Sequence, residues 1–345
     1  MENLFFSLNA TLPIFALMVL GYFFRKIGLI DEKAASWMNK FVFKVALPVL
    51  VFKDLASQDF AGTWNGKFVL FCFGATSLSI ALIALLSKAF MKNKSKRGEF
   101  IQGAYRSSAA LLGIAFIHNI YGDTAIGMGP LMILGSVPLY NIFAVIILTL
   151  TAGDETEEES KKQNRNRNIS TTEDTTETKQ TIKNQDHHKV ILKTLKGIIT
   201  NPIIIGIFIG LVWSLIQIPQ PKVFQTIVSN MSALATPMGL MSMGATFEFK
   251  KAVKDLKPAL VASFIKLFGL AAIFLPIAVA MGFTGEQIVA ILVMLGSATT
   301  VSCFIMAKSM GHEGTLSSSV IMLTTFGCSF SLTFWLYLLR TLQVI

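Results

Sequence analysis

Apolar stretches of about 20 residues recur along this 345-residue chain, each long enough to cross a hydrocarbon core of about 30 Å. About ten fit, over residues 4–24, 36–56, 66–90, 99–120, 127–151, 197–217, 224–247, 258–282, 286–308 and 316–340. In hydrocarbon each stretch must satisfy its own backbone, so each is read as a helix. Hydrophobic residues make up 53% of the chain and charged residues 14%, where a soluble protein carries about 25% charged residues. The mean hydropathy is +0.61. The expected fold class is an all-α integral membrane protein of about ten transmembrane helices. The first stretch lacks a basic n-region and is followed by more spans, so it reads as a retained helix rather than a signal peptide.

The chain carries an internal duplication. Pro13 and Pro202 stand 189 positions apart, and so do Pro48 and Pro237. The same offset matches Gly21 to Gly210, Thr11 to Thr200 and Phe60 to Phe249. Scattered Ala or Ile matches would mean little in so biased an alphabet. Two prolines and a glycine at one offset mean more, and duplication within a membrane protein marks alternating-access carriers.

Basic residues alternate between loops. Arg25, Lys26, Lys33 and Lys40 follow span 1; Lys88, Lys92, Lys94, Lys96 and Arg97 follow span 3; Lys250, Lys251, Lys254 and Lys257 follow span 7. The intervening loops hold few. Basic loops face the cytoplasm, so both termini are expected outside. The net charge of +10 belongs to this pattern and does not call for nucleic acid. Five spans per half then start the second half on the opposite face, which makes the duplication a 5+5 inverted repeat. The expected organisation is a first repeat over 1–151, a cytoplasmic linker over 152–192 and a second repeat over 193–345. The linker is polar and charged, with almost nothing to bury, and reads as disordered. His187 and His188 lie in it and read as solvated side chains rather than a metal site. Cys72, Cys303 and Cys328 form no disulfide framework and no metal-ligand spacing. No metal and no cofactor are expected.

Spans 4 and 9 are the least apolar in their middles. One holds Arg106, Ser107, Ser108, Ala109 and Ala110, and the other Ser297, Ala298, Thr299, Thr300, Val301 and Ser302. Small and hydroxylated residues permit tight helix packing. They also suit interrupted helices whose freed backbone groups form a substrate site. Their occurrence in both halves favours interruption. Lys44, Arg106 and Lys266 are basic residues inside spans, each within snorkelling reach of an interface or placed to attract an anion. No carboxylate sits mid-span, with Asp54 near an outer end. That suits a carrier of organic anions better than a cation antiporter. Asn141 and Asn201 are amide candidates, although Asn201 before Pro202 is equally a helix cap.

These residues carry a resemblance. The segments are Ala10-Thr11-Leu12-Pro13 through Gly21-Tyr22 to Gly28-Leu29-Ile30; Ala46-Leu47-Pro48; Arg106-Ser107-Ser108 with Gly113 and Tyr121-Gly122; and Phe304 through Ala307-Lys308 with Gly311. In order and spacing the chain resembles the auxin efflux carrier family, including bacterial malate-permease-like members and plant PIN exporters. The resemblance implies a scaffold domain of helices 1, 2, 6 and 7 and a transport domain of helices 3–5 and 8–10. It also implies that helices 4 and 9 break and cross, and that organic anions move by an elevator-like motion without a required sodium partner. This sequence has Ser107 and Ala298 where PIN-like crossovers carry proline. Ser108 stands where the bacterial pattern often has Asn, and Gly113-Ile114-Ala115 replaces a Gly-x-Pro.

The function expected is a secondary transporter of small organic anions, carboxylates foremost, in the plasma membrane. A membrane sensor that binds a small molecule or lipid is the alternative. Motifs of an enzyme are lacking, with no paired His/Glu metal motif and no Gly-x-Ser-x-Gly. The substrate-binding candidates are Ser107, Ser108, Gly113, Asn141, Ala298, Thr299, Thr300 and Ser302. Lys44, Arg106 and Lys266 are charge partners, and Pro13, Pro48, Pro202 and Pro237 serve helix breaks or packing. The partners are the anion and the bilayer, with a homodimer through the scaffold domain as one arrangement.

Overall fold

Long apolar runs without helix breakers become single helices. The computed structural model describes residues 2–56, 64–91, 96–109, 114–121, 127–167, 199–217 and 219–345. In chain order the helices are α1 (Glu2–Lys26), α2 (Glu32–Ala56), α3 (Gly66–Phe90), α4 (Arg97–Tyr105), α5 (Ile114–Tyr121), α6 (Met128–Arg167) and α7 (Pro202–Ile216). They continue with α8 (Lys222–Ala233), α9 (Ala235–Ala245), α10 (Phe249–Lys254), α11 (Leu256–Ala280), α12 (Glu286–Gly296), α13 (Ser302–Ser309) and α14 (Thr315–Thr341). Five of them are long and apolar enough to cross a membrane: α2, α3, α6 up to Thr151, α11 and α14. Helix α6 runs on to Arg167, so the first part of the segment read as a linker is helical. Residues 168–198, with His187 and His188, lie outside the described residues.

The prolines act where the chain bends or begins a helix. Pro48 lacks the N–H that would bond to the carbonyl of Lys44. A π-helical turn over Val42–Ala46 takes up the strain just before it. Pro202 opens α7, and the Asn201 side chain caps it by accepting from the Ile203 N–H at 3.0 Å, so the cap reading of Asn201 is the one realised. Pro237 lies in the first turn of α9, just past the turn at Leu234 that separates α8 from α9. Pro13 lies inside α1.

Helix pairing follows a pattern. Helix α1 packs on α9, and the second half of α2 packs on α7; α3 packs on α6, and α11 on α14. The first contact depends on glycine. A Cβ at Gly21 would overlap the Met241 carbonyl, and one at Gly244 would overlap that of Met18. Backbones this close gain dispersion contacts that lipid cannot supply.

The polarity is inside out. Leu12, Val19, Leu70, Leu78, Phe208 and Leu215 are exposed on the outer faces. Ser317, Ser318, Thr324, Thr325, Ser329 and Ser331 of α14 are buried. An apolar exterior over a hydroxyl-rich interior is stable when the solvent is hydrocarbon.

Candidate functional site

Two helices stop inside the molecule. After Tyr105 the chain is non-helical over residues 106–108, and after Gly296 over residues 297–301. Each stop frees carbonyls that α-helical bonding would have met. The two breaks bond to one another. Ser107 Oγ donates to Val293 O at 3.0 Å, and Thr299 Oγ1 donates to Gly103 O at 2.8 Å. The Ser108 N–H donates to Ala298 O at 2.9 Å, and the hydroxyls of Ser107 and Ser297 are hydrogen-bonded to each other. The interrupted segments therefore meet and complete one another.

Lys266 meets two further carbonyls of α12. Its ammonium, fully buried, donates to Leu295 O at 2.7 Å and Met294 O at 3.3 Å. A cation at the C-terminal end of a helix also suits the helix dipole. Tyr140 OH adds a bond to Met294 O at 3.1 Å, and Tyr105 OH donates to Tyr140 O at 3.0 Å.

A cavity of about 170 Å³ opens where the breaks meet, well above the roughly 10–15 Å³ that holds one water. Arg106, Ser107, Ser108, Asn141, Ala298, Thr299, Thr300 and Ser302 all line it. Thr300, Val301 and Ser302 at the start of α13 line this space; Val301 supplies no side-chain cap, and the N–H groups of Cys303 and Phe304 bond to Thr300 O and Val301 O. Such a terminus carries partial positive charge.

Arg106 dominates the electrostatics. Its guanidinium is buried and does not snorkel. Nη2 donates to Asn141 Oδ1 at 2.9 Å and Ser302 Oγ at 2.7 Å; Nη1 donates to Tyr140 O at 3.3 Å and contacts Met306 Sδ at 3.1 Å. Asn141 is held in turn by its own bond to Val137 O at 2.9 Å. Every one of these partners is neutral, and Nε has none. Burying a charge without a counter-charge is costly.

The other expected residues lie elsewhere. Lys44 is exposed along an outer apolar groove with Pro48, Phe52, Pro202 and Trp213. Lys266 caps α12 and does not reach the cavity. Gly113 lies outside the described residues. Sequence reasoning did not single out Ile14, Val137, Tyr140, Thr236 and Thr325 for the lining, nor Asp54. Asp54 was legible in principle, because Leu47, Leu50, Val51 and Asp54 share one helical face. Two buried carboxylates at span starts were also missed. Glu99 accepts from the N–H groups of Gly314 (2.9 Å) and Ser317 (2.8 Å), and Glu286 accepts from the N–H of Met128 (2.7 Å). Each ties a broken helix to the start of a long helix.

Apolar helices around a cavity at two helix breaks are the architecture of a membrane transport protein. The chain matches the membrane transport protein family over residues 6–336 and belongs to it, the family of the auxin efflux carriers. It is 24% identical over 336 residues to a Rhizobium meliloti protein named "Putative malonate transporter", covering 96% of this chain and 95% of that one. It is 21% identical to auxin efflux carrier component 8 of Arabidopsis thaliana, over 70% of this chain and 72% of that protein. A Methanothermobacter thermautotrophicus protein named "Uncharacterized transporter" is 19% identical, over 95% of this chain and 97% of its own length.

Proposed function

We propose that this protein is a secondary transporter of small organic anions, carboxylates foremost, which works by an elevator-type alternating-access motion and needs no sodium partner. The observation that carries this reading is Arg106, a buried guanidinium held only by neutral acceptors on the wall of a cavity where two broken helices meet. A bound carboxylate brings a negative charge that none of Arg106's hydrogen-bond partners carries, and the start of α13 adds partial positive charge beside it. The relative named for malonate supports a carboxylate.

The helix pairing supports a 5+5 inverted repeat with crossing broken helices. Counting ten spans, helix 1 on helix 7 exchanges with helix 6 on helix 2, and helix 3 on helix 5 exchanges with helix 8 on helix 10. The same pairing supports a scaffold of helices 1, 2, 6 and 7 beside a transport domain of the rest. Alternating basic loops support a multi-pass plasma-membrane protein with both termini outside and the linker in the cytoplasm.

Export of one net negative charge from a cell negative inside gains about 2.3 kcal/mol per 100 mV, so potential alone can drive the cycle. The test is uptake of radiolabelled carboxylates into proteoliposomes under imposed potential or an imposed sodium gradient. Flux should follow the potential and ignore sodium. Uptake driven by sodium alone would overturn the mechanism.

A further inference from the structure

The walls of the cavity carry opposite formal charges. Arg106 stands at the break after α4, and Asp54 stands on the face of α2 that also presents Leu47, Leu50 and Val51. The neighbouring Lys53 donates to Ser229 Oγ at 3.2 Å and places its positive charge near Asp54 without lining the cavity. A ligand whose carboxylate sits on Arg106 therefore shares about 170 Å³ with a second, protein-borne carboxylate.

That arrangement discriminates by charge. A dianion held at Arg106 brings its second carboxylate into the same small space as the Asp54 carboxyl, and the two repel whenever both are deprotonated. A hydroxyl or ammonium in that place donates to Asp54 instead. Selectivity of this kind comes from the repulsive element as much as the attractive one. We propose that the site takes a small monocarboxylate that also carries a hydrogen-bond donor, with its carboxylate on Arg106 and its donor toward Asp54, and that Asp54 is the residue that rejects dianions. This rests on reading the cavity as an organic-anion site.

The test is competitive binding to the purified full chain in detergent at alkaline pH, which favours the deprotonated form of every carboxyl group. The probes are lactate and glycolate, as 2-hydroxy monocarboxylates, and malonate as a dianion. Wild type should favour the hydroxy acids over malonate by tenfold or more. Asp54→Asn should raise malonate affinity tenfold or more and narrow or reverse the preference; Asp54→Thr serves the same purpose if the amide fails to fold. A wild type that prefers malonate, or a ratio unchanged in both variants, would overturn the inference while leaving the anion site standing. Arg106→Gln separates the two claims. Loss of all three ligands upholds the anion site, and retention of all three, or a wild type that binds none, overturns the site and the inference together.

Discussion

The hydroxyl of Thr299 donates to the carbonyl of Gly103 at 2.8 Å, across 196 positions of sequence and from one broken helix to the other. The breaks are thus not independent defects. Thr299 meets a carbonyl at the end of α4 and the Ser108 N–H meets Ala298 O in the other break, which is how non-helical backbone persists at membrane depth.

Thr299→Val keeps the side-chain volume and removes that donor. The Gly103 carbonyl would be left buried and unmet, at a cost of about 1–3 kcal/mol. A lowered melting temperature in detergent is expected, with recovery in Thr299→Ser. No change in either variant would mean that the cross-helix bond contributes nothing.

Lys266→Met should destabilise the C-terminal end of α12. The substitution removes the donor to Leu295 O and Met294 O while keeping length and apolar bulk. Loss of a charged hydrogen bond of this kind costs about 1.5–3 kcal/mol. Hydrogen exchange should quicken at Ser297, whose N–H bonds to Val293 O in the last turn of α12. Unaltered exchange there would assign Lys266 some other role.

Gly244→Leu should prevent stable assembly of α1 on α9, since even a Cβ overlaps the Met18 carbonyl. Overpacking normally costs about 1–3 kcal/mol, and a backbone contact cannot move aside as a side chain can. Expression as folded protein, read by size-exclusion profile, should fall sharply. A normal profile would contradict the pairing.

The orientation can be checked in a background lacking Cys72, Cys303 and Cys328. Lys33→Cys and Lys222→Cys both place a thiol at an exposed position in the structure. Impermeant reagent outside the cell should label Lys222→Cys and spare Lys33→Cys. Reversed labelling would invert the assignment of both repeats.

Much of this was legible in the sequence because the membrane enforces it. Continuous apolar runs give helices, and hydroxyl clusters at Ser107–Ser108 and Thr299–Thr300 mark where the helices stop. What the sequence hid was direction. Lys44, Arg106 and Lys266 are alike as basic residues within spans, yet one lies along an outer groove, one lines the cavity and one caps a helix. Rotation about the helix axis and the neighbouring helix decide that, and neither is written in local composition. Tyr105 and Tyr140 were hidden for the same reason, since an aromatic in a span is ordinarily packing. Their hydroxyls reach carbonyls of neighbouring helices, Tyr105 that of Tyr140 in α6 and Tyr140 that of Met294 near the end of α12.

The central claim is that Arg106 receives the carboxylate of the transported anion. The direct measurement is counterflow of a radiolabelled carboxylate in proteoliposomes containing wild type, Arg106→Gln or Arg106→Lys, each first shown to be folded by its size-exclusion profile. Losing a charge-assisted hydrogen bond of about 2 kcal/mol lowers affinity roughly 30-fold, and lysine cannot replace the planar fork that Asn141 and Ser302 hold in place. The account predicts that wild type exchanges the label and that both variants, though folded, do so at least tenfold less well. Undiminished counterflow by Arg106→Gln would contradict it.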